Sequence, residues 1–137
     1  MPARSATRKD MYHALRAIVL PILRAQGFKG SFPHFRRPRD QGIDLLTFQF
    51  DRHGGGYVVE LARCPIEGYV THWGEVIGPD KVTAWDIPSK RRQRIKAKAS
   101  SGTEGWFRFD HDAPEDVAVH VASKLSDEGI WQTLLLS

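Results

Sequence analysis

The sequence predicts an α+β fold: an antiparallel sheet of about four to six strands, with an N-terminal and a C-terminal helix packed on one of its faces. Two observations carry this. A helix-spaced apolar stripe opens the chain and a second one lies near its end, while period-two alternation dominates residues 42–64 between them. Helix, strands, an irregular segment, a strand and a helix form a segregated order, which is that of α+β domains rather than of alternating β–α units.

The first helix is introduced by Thr7 and Asp10, spaced as a capping box with aspartate in the usual glutamate position. Met11, Leu15, Ile18, Val19, Ile22 and Leu23 form its apolar stripe, with Arg8, Lys9, Arg16 and Arg24 largely outside it. Pro21 lies inside the pattern. It cannot donate to the carbonyl of Ala17, so the helix should bend there. Gly27 is expected to end the helix in the left-handed conformation that glycine adopts cheaply. Residues 1–6 are expected to be a flexible arm.

A short edge strand is read at His34 to Arg37, stopped by Pro38. "IDLLTFQFD" and "GYVVELARC" then read as a β-hairpin turning at "RHGG". Pairing Asp51 with Gly56 sets Phe50 opposite Tyr57, Phe48 opposite Val59, Leu46 opposite Leu61 and Asp44 opposite Arg63. That face should be the core. The other carries Leu45, Ala62, Thr47, Glu60, Gln49 and Val58, so Gln49 and Glu60 should point outward or into a cleft. A slip of one residue would bury both and expose the phenylalanines, so the pattern specifies the register strongly.

From Glu67 to Pro88 the periodicity dissolves, and a long loop with short strands is expected; loops of this length are often functional. "SKRRQRIKAKA" is read as a short helix or strand, and "GWFRFD" as a strand with Phe107 and Phe109 on one side. Asp112 should cap the second helix, with Pro114 in its first turn and Glu115 completing the box. Val117, Val121 and Leu125 give that helix its apolar stripe, and Gly129 should stop it. "IWQTLLLS" should pack as a last helical turn or strand.

At 137 residues and a net charge of +4, the chain has the composition of one soluble globular domain, and no apolar run approaches the roughly 20 residues of a membrane span. Cys64 is the only cysteine, so no intrachain disulfide can form, which suits a reducing cytoplasm. It is read as a buried, inert thiol. The six histidines lack partners at metal-ligand spacing, so no metal and no cofactor is expected. "HGGG" at His53 resembles a lipase oxyanion loop, but no Gly-x-Ser-x-Gly nucleophile elbow accompanies it; it is a hairpin turn.

Six positive residues in nine, Lys90, Arg91, Arg92, Arg94, Lys96 and Lys98, make the strongest charge feature. This run suits a solvated edge, an acidic protein partner or nucleic acid. Aromatic residues do not interleave with it as single-strand platforms require. Trp106 is read as core or its border. Trp73 and Trp85 lie in the long loop near His72 and Tyr69, either as an interface or folded back over a second small cluster.

"LPILRAQGF", Phe35 to Arg37, "LTFQF", "YVVEL", the Arg94–Ile95 pair and the Trp106–Phe107 pair together resemble the bacterial domain-of-unknown-function family 4304. Glu60 stands where that pattern usually has an amide. The resemblance implies an α+β fold and no established activity. Small bacterial families of this kind sometimes act as immunity proteins that block a toxin by binding it.

The function expected is therefore a non-enzymatic protein-binding module of immunity-protein type. The second sheet face with Thr47, Gln49 and Glu60, together with Arg36, Arg37 and the aromatic loop that carries Trp73 and Trp85, would form its contact surface. The alternatives are a small-ligand-binding protein or enzyme, with Arg37, Gln49, Glu60 and His72 converging in a cleft, or a nucleic-acid-binding protein acting through the basic run 90–98, with Arg91, Arg92 and Arg94 as its contacts.

Overall fold

Thr7 caps helix α1 (Arg8–Ile18) in the computed structural model, which describes residues 7–52, 54–95, 106–110, 112–132 and 134. The expected arm at residues 1–6, together with Lys96 and Lys98, lies outside the described residues. The Thr7 hydroxyl accepts from the Asp10 backbone N–H at 3.1 Å, and the Asp10 carboxylate accepts from the Thr7 N–H at 2.8 Å. Both partners of the capping box are thus in place. The helix breaks at Val19 and resumes as α2 (Leu20–Ala25), with Pro21 in the first turn of the second piece, where a missing N–H does no harm. Gly27, at φ +94°, ends α2. The N–H of Phe28 reaches back to the carbonyl of Leu23 at 2.9 Å, and that of Gly27 to Arg24 at 3.1 Å, a Schellman closure.

The main sheet is antiparallel, in the order β1 (Lys29–Ser31), β2 (His34–Arg39), β3 (Gly42–Phe50), β4 (Gly56–Cys64), β7 (Gln93–Ile95), and β8 (Phe107–Arg108) also pairs with β4. Because β3 occupies one side of β4, both β7 and β8 must lie along the other, opposite Val59–Leu61 and Gly56–Tyr57 respectively. The β3–β4 register is the expected one throughout, from Phe50 opposite Tyr57 to Asp44 opposite Arg63.

The first strand differs from expectation in two ways. β1 flanks β2, so β2 is not the sheet edge along Lys29–Ser31. Nor does Pro38 stop it: β2 runs on to Arg39, with Pro38 opposite Ile43. Since β1 reaches no further than Arg36, no strand among the described residues pairs with Pro38 on that side, and its missing N–H interrupts no ladder there.

One face of the sheet carries Phe35, Leu46, Phe48, Tyr57, Val59 and Leu61 against Met11, Leu15, Val19 and Leu23 of the first helical pair and Val117, Val121 and Leu125 of α3 (Pro114–Leu125). This is the main core, and α1 packs on α3 across it. The ends of α3 correct two expectations. Ala113, not Asp112, takes the N-cap position and makes no side-chain cap, because Pro114 is the first helical residue and sets the cap one place later. The helix ends at Leu125, capped by Ser126, and Gly129 lies inside a following 3₁₀ turn, Glu128–Trp131.

The second face is not a wet surface. Ile43, Leu45, Ala62 and Cys64 are buried beneath Val82, Ala84 and Ile87 of the irregular segment, with Tyr69 and Ile77 packed at the border. No helix among the described residues is long and apolar enough to cross a membrane.

Candidate functional site

The segment over the second face is built from a two-stranded ribbon, β5 (Tyr69–Val70) and β6 (Val76–Ile77), and two 3₁₀ turns, Ala84–Asp86 and Ser89–Arg91. A ribbon has two sides, and this one divides its residues between them. Tyr69 pairs with Ile77, and both pack on the second cluster. Val70 pairs with Val76 on the outer side, where they are 60% and 71% exposed. The turn between them is closed by the Thr71 N–H to the Glu75 carbonyl and by the Glu75 N–H to the Thr71 hydroxyl, both at 2.9 Å. Gly74, at φ +91°, makes the tight return that a side chain would strain. At the tip Trp73 is 67% exposed, edge-on to His72. Val70, Val76 and His72 border a cavity of about 450 Å³, with Glu67 and Arg91 supplying its charge.

The tryptophans therefore do not close the second cluster. The segment does fold back, but through Val82, Ala84 and Ile87; Trp73 stays out at the ribbon tip and Trp85 remains half-exposed. Val82, Ala84 and Ile87 cluster with Leu45 and Ala62, and the Arg36 guanidinium ties the covering segment to β2 by donating to the Val82 carbonyl at 3.0 Å.

Beyond the apolar cluster the second face carries a polar row across four strands: His34, Thr47, Glu60 and Arg94 stand in register. His34 Nδ1 and the Thr47 hydroxyl share a hydrogen bond of 3.0 Å. Glu60 is buried, and its carboxylate lies 3.3 Å from Arg94 and 3.8 Å from Arg92. It therefore points neither outward nor into an open cleft, and two residues of the basic run balance it. Trp85 lies edge-on to the His34 ring at 5.1 Å. Burial, then the Arg36 charge, lower the His34 pKa below its usual value, with Asp86 opposing. Gln49, one pair further along, is exposed and borders a shallow cavity with Trp85.

Arg37 belongs elsewhere. Alternation puts it on the core face, where it donates to Asp44 Oδ2 from Nε at 3.0 Å and from Nη2 at 2.8 Å, and to both Glu128 oxygens at 3.0 Å. Arg63 donates to the other Asp44 oxygen at 2.9 Å and to the carbonyls of Trp131 and Leu134. The Arg37 guanidinium also stacks over Phe28, 4.6 Å from the ring centre. Of the four residues expected to converge in a cleft, only Gln49 and Glu60 share a region. Arg37 is on the opposite face and His72 is on the ribbon.

The cross-strand valine pair escaped sequence reading. Its signal was a valine on each side of "THWGE", a turn with glycine in its left-handed position. The model of the family described as Domain of unknown function (DUF4304) matches residues 10–134. The chain belongs to the DUF4304 family. No curated protein and no solved structure matches it. The DUF4304 match spans the ribbon, the polar row and the Arg37–Asp44 network alike.

Proposed function

We propose that this DUF4304 chain is a non-enzymatic protein-binding module of the immunity-protein type, docking a folded partner through the outer side of the β5–β6 ribbon. The single observation that carries the reading is the paired exposure of Val70 and Val76 beside Trp73, on one small element whose other side is anchored in the second cluster. Isolated exposed apolar residues need no explanation. A directly paired aliphatic couple with an indole at the tip is different: its backbone is tied by the Thr71–Glu75 bonds and anchored through Tyr69 and Ile77, which lowers the loop entropy lost on binding. Tryptophan is also the residue type most enriched at the centres of protein interfaces. Glu67 and Arg91 at the rim suit a partner that sets a complementary charge of each sign around an apolar centre.

The ligand-cleft alternative draws less support, since Arg37 and His72 lie away from Gln49 and Glu60. The nucleic-acid alternative is weakened by the engagement of Arg92 and Arg94 with Glu60.

The test compares the wild-type chain with Trp73→Ala as bait in a lysate of the source organism, followed by affinity measurement with the captured protein. Trp73→Ala should weaken binding by about 2 kcal/mol or more, while folding stability stays within about 0.5 kcal/mol of wild type because the indole is exposed. A partner held equally well by both forms would remove the ribbon from the interface.

A further inference from the structure

Six large apolar side chains are exposed among the described residues, and four of them, Ile66, Val70, Trp73 and Val76, come from residues 66–76. Apolar surface gathered in this way on a folded chain marks an interface more often than a bare surface. The charges around it differ from those of the rest of the molecule. The chain carries a net charge of +4, yet the exposed ionic groups of residues 66–76 and of the turn Ser89–Arg91 are Glu67, Glu75, Lys90 and Arg91, two of each sign. None of the four takes part in an ion pair among the described residues. Glu67 and Arg91 border the cavity of about 450 Å³ that Val70, Val76 and His72 also line. Trp73 stands edge-on to His72 but is not part of that lining, so an exposed indole sits beside a recess that it does not fill.

A two-fold axis turns one patch against itself, so that a residue meeting a second residue of the other copy is met in return. Such a face has to supply its own complement. The ribbon supplies an indole and a recess, and beside the recess a carboxylate and a guanidinium that have not satisfied each other. Elsewhere the surplus of positive charge opposes a second copy, whereas at this patch the charges cancel. We infer that the outer side of the β5–β6 ribbon is a self-association face, on which two copies of the chain pair with Trp73 of each seated in the recess of the other and Glu67 of each opposite Arg91 of the other. Because both complements lie on one small element, the contacts are complete after two copies and leave no open end. The dimer covers the surface proposed above for a folded partner, which must therefore compete with it for the ribbon. This rests on the reading of the ribbon as a docking face and adds what occupies that face when no other protein does.

The experiment is sedimentation velocity on the purified full chain over a concentration series, alongside Glu67→Arg, Arg91→Glu, Trp73→Ala and an equimolar mixture of the two charge variants. Wild type should pass from monomer to dimer as concentration rises. Each charge variant alone should dimerise at least about ten-fold more weakly, because the reversal sets like charges at both reciprocal contacts. Their mixture should return to within about three-fold of wild type, since one chain then brings two guanidiniums and the other two carboxylates. Trp73→Ala should weaken the dimer by at least about ten-fold. All three variants should keep the wild-type urea midpoint, as the side chains they replace are exposed. The inference is overturned by a wild-type chain that stays monomeric throughout, by a dimer that withstands both charge reversals, or by a mixture no more dimeric than its components. A monomeric chain that still captures a Trp73-dependent protein from a lysate defeats self-association alone, and a dimer that captures none defeats only the folded partner.

Discussion

His34 lies between a hydroxyl, an arginine and an indole on the partly covered side of the sheet. Burial and Arg36 disfavour its charged form, so its folded pKa is below the unfolded value of 6.5. At pH values below 6.5 the unfolded chain then binds more protons than the folded one. The stability this histidine provides is complete above 6.5 and is lost as pH falls through the folded value. Urea denaturation at several pH values should show wild type losing stability on acidification that His34→Gln retains, with an NMR midpoint for the imidazole below 6.5. A midpoint at or above 6.5 would contradict the environment described. Cys64, one of the few residues whose condition was legible from the sequence, is buried; burial first, then Asp86, push its thiol up to about 11, with Arg36 opposing. It is protonated near neutrality and unsuited to nucleophilic chemistry.

At the scale of elements, the β3–β4 hairpin was legible to the last pair, because period-two alternation leaves a single register that buries both phenylalanines. The ends of α3 were less so: Pro114 competes with Asp112 for control of the start, and the outcome depends on which residue the chain enters from. The segment from Glu67 to Pro88 had no period to read, because its short pieces are held by tertiary contacts. Those contacts are few and mostly aliphatic, centred on Val82, Ala84 and Ile87. Ile87→Ala should therefore act locally. Hydrogen exchange at residues 69–87 should accelerate strongly, while amides in α1 and α3, which belong to the main core, keep most of their protection. Uniform acceleration across the chain would show that the two clusters unfold as one unit.

At the scale of the whole molecule, the Asp44 carboxylate is the junction. It is fully buried, and through Arg37 and Arg63 it links β2, β3 and β4 to the end of α2 at Gln26 and to the carbonyls of Trp131 and Leu134. Removing one member of a buried ionic network strands the others without a counter-charge. Asp44→Asn should lower stability by about 3–5 kcal/mol in urea denaturation; a loss below about 1 kcal/mol would place the network with exposed, weakly coupled pairs. The Asp44–Arg63 contact was legible as a cross-strand pair. The recruitment of Arg37 and Glu128, 91 residues apart, was not.

Local patterning alone specified the caps of the first helical pair, the hairpin register and the side of the sheet that forms the main core, because each follows from periods and turn residues a few positions apart. Only tertiary structure decided that the second face is covered, that Arg37 meets Glu128 while Arg36 reaches the Val82 carbonyl, and that Val70, Trp73 and Val76 are left outside. Those outcomes depend on which distant side chains fill the remaining volume and neutralise the buried charge, and no short stretch of sequence contains both partners.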